Sequence, residues 1–350
     1  MANDVSESVK NNGNGHQLNA KDFSSDQDVR WCPGCGDYSI LAQVQRVSPD
    51  FDVDLEKYVW VSGIGCAARF PYYMNTYGFH SIHGRAPAIA TGVKVNRPDL
   101  FVWVASGDGD LLSIGGNHFI HACRRNVDIK ILLFNNRIYG LTKGQYSPTS
   151  ERGKKTKSTP FGSIDYPFNP LSLAVGAGAT FIARSFDRDP KHLKEMIHRA
   201  GNHKGTAFLE VYQNCNIFND GAFELLTDKE TKADNVLVLV HQKPMVYGKN
   251  NDKGIILDGL SPRVVDLSEG KYSVNDLWVH NEFDNSKTTA QILAQFTEME
   301  GFPTPIGVFR QELKSTYDED FHQQIDNLKK TKGEGDLREI YFAGNTWEVN

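Results

Sequence analysis

The sequence predicts an α/β protein, with a mostly parallel sheet flanked by helices. Two apolar runs of the kind that form buried strands, Phe101–Ser106 and Ile129–Phe134, enclose a helical segment, which is the pattern of a β-α-β unit. Polar residues follow both runs directly. Because the crossover returns the chain to its starting side, the two strands run parallel and end at the same edge of the sheet.

The composition is typical of a globular protein and lacks a nucleic-acid or membrane signature. The chain of 350 residues contains 39% hydrophobic and 23% charged residues and has a formal net charge of −5. That charge offers no basic footprint for nucleic acid. No apolar run reaches the ~20 residues that a membrane helix needs. The segment Met1–Asp22 also lacks the apolar part of a signal peptide. We therefore expect a cytoplasmic protein.

The N-terminal part combines a polar tail with a cysteine motif. Residues 1–21 are rich in Asn, Gly and Ser, and we expect a disordered tail there. In the segment WCPGCGD that follows, a Pro-Gly pair forms a tight turn that points Cys32 and Cys35 at one centre. A helix over Tyr38–Val47 comes next. The C-x-x-C spacing alone allows a structural zinc site, a redox pair or half of an iron–sulfur site, of which zinc is the first choice.

Two further cysteines follow predicted strands. Tyr58–Ser62 reads as a strand that ends at GIGC, and Ala207–Tyr212 reads as a strand that ends at QNCN, so Cys66 and Cys215 each lie just past a strand. Ligands of open α/β sheets bind outside the carboxyl ends of the strands. A four-thiolate site for zinc or an iron–sulfur cluster is one interpretation. Ordinary buried thiols are the other, and that is our interpretation for the helical Cys123.

The centre of the sequence places hard oxygen ligands at the same sheet edge. GDGD follows the first strand of the β-α-β unit and NN follows the second, so Asp108 and Asn136 face each other although they are 28 positions apart. Carboxylate and amide oxygens suit Mg²⁺. Gly107 and Gly109 let the backbone approach a phosphate at the start of the predicted helix Leu111–Arg125. GDG alone also occurs as a tight turn, but the Asn pair favours a metal–diphosphate site.

The remaining elements fit further βα units and a separate last third. We predict helices over Pro87–Val95, Asn169–Ala179, Pro190–Gly201 and Thr288–Glu300, and strands over Thr180–Arg184, Val236–His241 and Gly254–Leu257. The composition becomes more charged beyond about Glu224. We therefore divide the chain into the tail (1–21), a ligand-binding domain (22–223) and a C-terminal extension (224–350), which either packs on the core or faces a partner.

GDGD followed by NN resembles the signature of thiamine diphosphate enzymes. The resemblance implies a thiamine diphosphate-binding fold in which Asp108, Asn136 and the carbonyl of Ile138 hold Mg²⁺. It also implies a set of residues along the cofactor cleft. They are Gly65, Cys66, His83, Gly107, Asp108, Gly109, Asp110, Asn136, Ile138, Tyr139 and Gly140.

A longer series of motifs resembles one branch of those enzymes. WCPGCG, GIGC, HGRAPAIATG, GDGD, NNRIYGLTKGQ and QNCNIFND resemble, in this order, the β subunits of 2-oxoacid:ferredoxin oxidoreductases, over about residues 22–223. The resemblance implies that Cys32, Cys35, Cys66 and Cys215 hold one 4Fe-4S cluster. It implies oxidative decarboxylation of a 2-oxoacid with coenzyme A and ferredoxin. A cluster beside the cofactor would receive its electrons, which favours iron over zinc.

Three residues are candidate substrate contacts, namely Arg69, His83 and Lys143. Each could equally be a solvated or capping side chain. In family members that accept 2-oxoglutarate, a basic residue after GIGC and the Lys of LTKGQ are implicated in substrate binding, and Arg69 and Lys143 match them. The resemblance therefore implies 2-oxoglutarate rather than pyruvate. It also places His83 along the cofactor cleft.

The resemblance further implies partners. The glutamate that activates the cofactor belongs to a separate α subunit, and this chain offers no candidate for it. We expect a heterodimer or a dimer of heterodimers that passes electrons to ferredoxin. The polar loop Ser147–Phe168 carries Lys154, Lys155 and Lys157, which are either solvated or contact coenzyme A or ferredoxin. The alternatives are a zinc-binding structural protein and a thiamine diphosphate enzyme without electron transfer.

Overall fold

An eight-stranded sheet runs through the centre of the computed structural model, which describes residues 18–349. The strands of the chain are β1 (Tyr58–Ser62), β2 (Tyr77–His80), β3 (Phe101–Gly107), β4 (Ile129–Asn135), β5 (Phe181–Phe186), β6 (Ala207–Tyr212), β7 (Val236–Leu239), β8 (Val246–Tyr247), β9 (Lys253–Asp258), β10 (Ser261–Asp266) and β11 (Thr304–Gln311). The large sheet has the order β2-β1-β3-β4-β6-β5-β11-β7, and β10-β9-β8 form a small antiparallel sheet.

Helices cover both faces of the large sheet. They are α1 (Asp37–Val47), α2 (Phe70–Tyr73), α3 (Ala86–Asn96), α4 (Gly116–Arg125), α5 (Pro170–Ala177), α6 (Pro190–Asn202), α7 (Glu224–Thr227), α8 (Lys232–Asn235), α9 (Lys287–Gln295), α10 (Tyr317–Lys332) and α11 (Leu337–Tyr341). Apolar residues of α1 and α6 pack on one face, and those of α3, α4, α5 and α9 pack on the other. Among the helices of residues 18–349, none has the length and apolar composition needed to cross a lipid bilayer.

The central strands are apolar on both faces because both faces are covered. In β3, Val102 and Val104 pack toward α3, α4 and α5, while Trp103 and Ala105 pack toward α1 and α6. Side chains alternate between the two sides of a strand, so a strand buried on both sides reads as a continuous apolar run. The indole of Trp103 stacks on that of Trp60 in β1 at a centroid distance of 5.2 Å. These continuous apolar runs are the reason that the sequence predicts the central strands.

The predicted β-α-β unit is present. Strands β3 and β4 pair in parallel, and each is one residue longer than predicted. The strands β1 and β6 have the predicted bounds. All of the strands β1 to β6 run parallel to their neighbours within that part of the sheet. Their carboxyl ends therefore lie along one edge, as the sequence predicts.

The predicted helix Leu111–Arg125 is wrong in its first part. Residues Asp110–Ile114 form a π-helical turn with a break at Ser113, and the α-helix begins at Gly116. Gly115 separates the two pieces. A Cβ atom there would lie 2.4 Å from the backbone oxygen of Asp110, so the close approach of the two backbone segments depends on glycine. A π-turn inside a helix is frequent at functional sites.

Both ends of the chain differ in part from the prediction. Residues 1–17 of the predicted tail lie outside the described residues, but Ala20–Phe23 form a 3₁₀-helix with Phe23 buried, so the predicted tail extended too far. In the C-terminal extension, β7 is shorter than predicted and β11 was not predicted. The strand β11 pairs antiparallel with β5 and parallel with β7. The extension thus contributes two strands to the large sheet and packs on the core.

A buried ion pair joins two strands of the large sheet and gives a test of the fold. Arg184 of β5 donates from Nε to Oε2 of Glu210 in β6 at 2.6 Å, and the exposed fractions of these side chains are 1% and 0%. We expect Arg184→Met to lower the free energy of unfolding by about 3–5 kcal/mol, because it leaves a buried carboxylate without its cation. Denaturant unfolding measures this change.

The matched controls are a double variant and a surface pair. Arg184→Met combined with Glu210→Leu should recover part of the loss, since no unpaired charge then remains. Arg263→Met removes the exposed partner of Asp258, which lies 3.6 Å away, and should change little. Equal losses for Arg184→Met and Arg263→Met would contradict the role of the buried pair.

Candidate functional site

The carboxyl ends of four neighbouring strands carry the residues that the sequence analysis selected. Cys66 lies four residues beyond β1, Asp108 lies directly after β3, Asn136 lies directly after β4, and Cys215 lies three residues beyond β6. Two cavities open at this edge of the sheet. We call the one that contains Asp108 the central cavity and the one that contains all four candidate cysteines the cysteine cavity.

The central cavity has a volume of about 440 Å³, within the range of small-molecule sites. Most of its walls come from the loops after β1, β2, β3 and β4, and Asp37 of α1, Gly107 of β3 and Phe134 of β4 complete them. They are formed by Asp37, Ile64, Gly65, Cys66, Ala67, His83, Gly107, Asp108, Gly109, Asp110, Phe134, Asn136, Ile138, Tyr139, Gly140, Leu141, Thr142 and Gln145. Every residue that the resemblance implied along the cofactor cleft lines this cavity.

Asp108 is buried and held by two hydroxyl groups. The hydroxyl of Thr149 lies 2.6 Å from Oδ2 of Asp108 and 2.9 Å from Oδ1 of Asn135, and the hydroxyl of Ser147 also donates to Oδ2. Burial raises the pKa of Asp108 to about 6, although both hydroxyls oppose the shift. A desolvated carboxylate is costly unless it is paired, and a divalent cation would provide the missing charge.

The sequence analysis missed Ser147 and Thr149. Both belong to the polar loop Ser147–Phe168, which the sequence marked only for its lysines. The loop is anchored by an ion pair between Arg137 and Glu151 at 2.7 Å. Long ordered loops are often functional, and this one holds the candidate metal ligand from the side.

Asn136 and Ile138 complete a set of hard oxygen ligands. Asn136 accepts a hydrogen bond at Oδ1 from the backbone N–H of Ile138 at 3.2 Å, and its backbone carbonyl accepts one from Asn219 at 2.8 Å. The residue between them, Arg137, has a φ of 56°, which turns the chain sharply at this point. A carboxylate, an amide and a backbone carbonyl at one cavity wall fit Mg²⁺.

Gly109 makes room for an aromatic side chain. A Cβ atom on Gly109 would lie 2.1 Å from the ring of Tyr139, and the Tyr139 hydroxyl donates to the Gly109 carbonyl at 2.9 Å. The ring therefore packs directly on the GDGD backbone. This contact explains why the second glycine of the motif has no side chain.

The cysteine cavity lies against the central cavity and has a volume of about 210 Å³. It is formed by Arg30, Trp31, Cys32, Cys35, Asp37, Cys66, Arg69, Asn136, Gly140, Leu141, Lys143, Gln213, Cys215, Asn216 and Phe218. All four predicted cysteine ligands line it. Cys123 does not, and it is fully buried, as predicted. Asp37, Cys66, Asn136, Gly140 and Leu141 belong to both linings and form a common wall.

The four thiols surround a space and do not converge on one point. Among residues 18–349, no three side chains of His, Cys, Asp or Glu are placed to hold a single metal ion. A Cβ atom on Gly140 would lie 3.6 Å from the sulfurs of both Cys66 and Cys215.

Burial makes three of the four thiols, those of Cys35, Cys66 and Cys215, poor nucleophiles in the absence of a metal. It raises the pKa of Cys66 to about 12 and also raises the pKa values of Cys35 and Cys215. The thiolate is the form that binds metals, so a cationic centre would supply the charge that deprotonates them. Gln213 donates from Nε2 to the sulfur of Cys35 at 3.3 Å, a contact that favours a thiolate there.

Asp37 is a second site residue that the sequence analysis missed. It begins α1 directly after the C-x-x-C motif, is buried, and lines both cavities. Burial, together with Asp187, raises the pKa of Asp37 to about 7. Its position next to CPGCG is the feature of the sequence that could have identified Asp37 as a site residue.

Two of the candidate substrate contacts lie in the cysteine cavity. Arg69 ends the 3₁₀-turn Ala67–Arg69 that follows Cys66, and Lys143 occupies a left-handed backbone position with a φ of 73°. His83, in contrast, lines the central cavity. The three residues therefore lie on different sides of the common wall.

Comparison with known proteins gives a consistent result. Residues 59–211 match the thiamine pyrophosphate enzyme, C-terminal TPP binding domain. The chain is 48% identical to the 2-oxoglutarate oxidoreductase subunit KorB of Mycobacterium tuberculosis, over 94% of this chain and 88% of that protein. It is 50% identical to the 2-oxoacid:ferredoxin oxidoreductase subunit beta of a Sulfolobus species, over 54% of this chain and 63% of that protein.

A solved structure is similar over nearly the whole chain. It is a 2-oxoglutarate:ferredoxin oxidoreductase from Magnetococcus marinus with 2-oxoglutarate, coenzyme A and succinyl-CoA bound. The TM-score is 0.75 and the sequence identity 33%, with 94% of this chain and 97% of that chain covered. The predicted fold class, a thiamine diphosphate-binding α/β fold, is confirmed.

The wall between the cavities gives a test of the cysteine cavity. A methyl group on Gly140 would make only ordinary contact with the two sulfurs, whereas a longer side chain would occupy the space beside them. We expect Gly140→Ala to keep the iron that the sequence predicts and Gly140→Leu to lower the iron content several-fold. Iron and sulfide determinations on protein purified without oxygen measure this.

A glycine-to-leucine substitution at a position with free space around it is the control for Gly140→Leu. A Cβ atom on Gly92 in α3 would meet nothing within 4 Å, so Gly92→Leu should keep its iron. A full iron content in Gly140→Leu would show that Gly140 does not border the cluster.

Proposed function

Because the chain belongs to the family of 2-oxoacid:ferredoxin oxidoreductase β subunits, we propose that it is the β subunit of a 2-oxoglutarate:ferredoxin oxidoreductase. The reaction is the coenzyme A-dependent oxidative decarboxylation of 2-oxoglutarate to succinyl-CoA and CO₂. The observation that carries the proposal is the common wall of the two cavities. The central cavity, where thiamine diphosphate would bind, and the cavity lined by the four cysteines lie side by side at one sheet edge, which supports the proposal.

Asp108, Asn136 and the carbonyl of Ile138 would hold Mg²⁺ in this proposal. When bound, thiamine diphosphate supplies the carbon nucleophile and the electron sink for decarboxylation. The residues of this chain bind and orient the diphosphate end. Ser147 and Thr149 hold the Asp108 carboxylate, and the glycines of GDGD let the backbone come close.

Cys32, Cys35, Cys66 and Cys215 would hold one 4Fe-4S cluster. All four thiols line the cysteine cavity, and this shared lining supports the assignment of a four-thiolate site. A cluster there would supply a one-electron acceptor next to the central cavity. Cys32 is exposed, so the cluster would lie close to the surface on which ferredoxin docks.

The substrate assignment is supported by the relatives. The M. tuberculosis protein is named a 2-oxoglutarate oxidoreductase subunit, and the M. marinus structure contains 2-oxoglutarate. Arg69 and Lys143 supply two cations near the common wall, where a substrate with two carboxylates would need positive charge. Pyruvate or another 2-oxoacid is the alternative.

The proposal includes an α subunit. The relatives are named as β subunits, which supports an α subunit as the source of the activating glutamate. A heterodimer or a dimer of heterodimers follows. The end of the extension, with Leu337, Ile340, Tyr341 and Trp347 exposed, is the part that would face a partner.

The cluster assignment can be tested by substituting two cysteines, one that lines the cysteine cavity and one that lies outside it. Cys215→Ala removes a proposed ligand, and we expect loss of the cluster's visible absorption band and of ferredoxin reduction. Cys123→Ala changes a buried thiol outside the cavity and should keep both. Absorption spectra and iron counts on protein purified without oxygen provide the measurement. Full iron and ferredoxin reduction in Cys215→Ala would rule out this ligand set.

The choice of substrate can be tested at Lys143. We expect Lys143→Ala to lower kcat/KM for 2-oxoglutarate at least about ten-fold more than for pyruvate, because only 2-oxoglutarate carries a second carboxylate. Steady-state assays of the complex with its α subunit measure both values. Lys191→Ala, at an exposed lysine of α6, is the control. Equal losses for both substrates in Lys143→Ala would exclude this role.

A further inference from the structure

The second aspartate of GDGD, Asp110, is a junction of three chain segments. Its Oδ1 accepts hydrogen bonds from the backbone N–H of Ile64 at 3.0 Å and of Gly84 at 2.7 Å, and from Nδ1 of His83 at 2.5 Å. Its Oδ2 accepts one from the hydroxyl of Ser106 at 2.6 Å. The loop after β1, the loop before α3 and the end of β3 therefore meet at one carboxylate, whose side chain is only 1% exposed.

Two glycines are required by this junction. A Cβ atom on Gly63 would lie 2.1 Å from Oδ2 of Asp110. Gly84 has a φ of +69°, and a Cβ atom there would lie 2.5 Å from the backbone nitrogen of Gly115. Gly63, the first glycine of GIGC, thus makes room for the Asp110 side chain. Gly84 of HGR makes room for the end of the π-turn that follows Asp110. The motifs form one structural unit although they are far apart in sequence.

The junction determines the orientation of His83. Oδ1 of Asp110 already accepts two backbone N–H groups, so it serves as an acceptor for the imidazole as well. Nδ1 then carries the ring proton, and Nε2 is left with a free lone pair. The His83 side chain is 39% exposed and lines the central cavity, so the ring is accessible from the cavity while Asp110 holds its Nδ1.

We propose that Asp110 is a positioning residue that holds His83 as the Nδ1–H tautomer, and that Nε2 of His83 is a proton acceptor of the central cavity. This inference rests on the proposed function and goes beyond it, because it assigns an acid–base group to this chain. Nε2 takes a proton from an O–H, N–H or S–H group bound in the cavity and returns it to the product or to solvent. The Asp110 carboxylate stabilises the imidazolium in between.

A double-mutant cycle tests the coupling of the two residues. In the complex with the α subunit, we expect His83→Gln to lower kcat about 100-fold with KM changed little, as for loss of a general base. Asp110→Asn keeps an oxygen for Ile64 and Gly84 and should lower kcat about ten-fold. The double variant should be no slower than His83→Gln alone, because residues that act as a unit are not additive. His80→Gln, at an exposed histidine of β2, is the matched control.

A purely structural role of Asp110 predicts a different result. The losses of the two single variants would then multiply in the double variant, and Asp110→Asn would weaken thiamine diphosphate binding as much as it lowers kcat. Isothermal titration with thiamine diphosphate and Mg²⁺ measures that affinity apart from turnover. Multiplying losses would overturn the proposal.

A spectroscopic readout keeps the inference independent of activity and of the folding of the aspartate variant. A proton on Nδ1 held by a carboxylate at 2.5 Å should give a downfield imidazole N–H signal in the proton NMR spectrum of the full chain. The signal should vanish in His83→Gln and persist in His80→Gln. Its absence from the wild-type chain would overturn the proposal. A wild-type complex that shows the signal but turns over no 2-oxoacid would instead contradict the proposed function.

Discussion

The site depends on one constraint, namely that a carboxylate must be held away from water at the end of a buried strand. Asp108 meets this constraint through a chain of polar contacts that crosses the sheet. Arg184 pairs with Glu210, Glu210 accepts from Asn135, and Thr149 joins Asn135 to Asp108. These contacts lie in an environment where an unpaired polar group is costly. The candidate Mg²⁺ ligand is therefore anchored both to the strand core and to the ordered loop that carries Ser147 and Thr149.

The second organising feature is the wall that the central and cysteine cavities share. Cys66 and Gly140 contribute to both sides, and Asp37 lies buried between them. Without a side chain on Gly140, the loop passes close to two sulfurs. Such proximity is what an enzyme needs when electrons leave an organic cofactor for a metal cluster.

The similarity to known β subunits agrees with this geometry and extends to the part of the chain without recognisable motifs. The alignment with the M. tuberculosis protein covers 94% of this chain, whereas that with the Sulfolobus protein covers 54%. The extension beyond residue 224 is thus shared with the former. In the structure it supplies β7 and β11 to the large sheet, and β11 reverses the strand direction at β5. It completes the core on the side opposite to β1 and β2.

The sequence by itself determined the parallel strands β1, β3, β4 and β6 and the ligand positions after them, because strands buried on both faces leave continuous apolar runs that end in polar residues. It also indicated the four candidate cysteines, Cys32 and Cys35 by their C-x-x-C spacing and Cys66 and Cys215 by their positions past a strand, and the structure brings all four to one cavity. Only the tertiary structure showed that Ser147 and Thr149 hold Asp108, that Asp110 orients His83, and that the helix after GDGD begins with a π-turn. These contacts join residues distant in the chain through hydroxyl, amide and glycine positions. Such positions have no periodicity, so a linear pattern cannot reveal them.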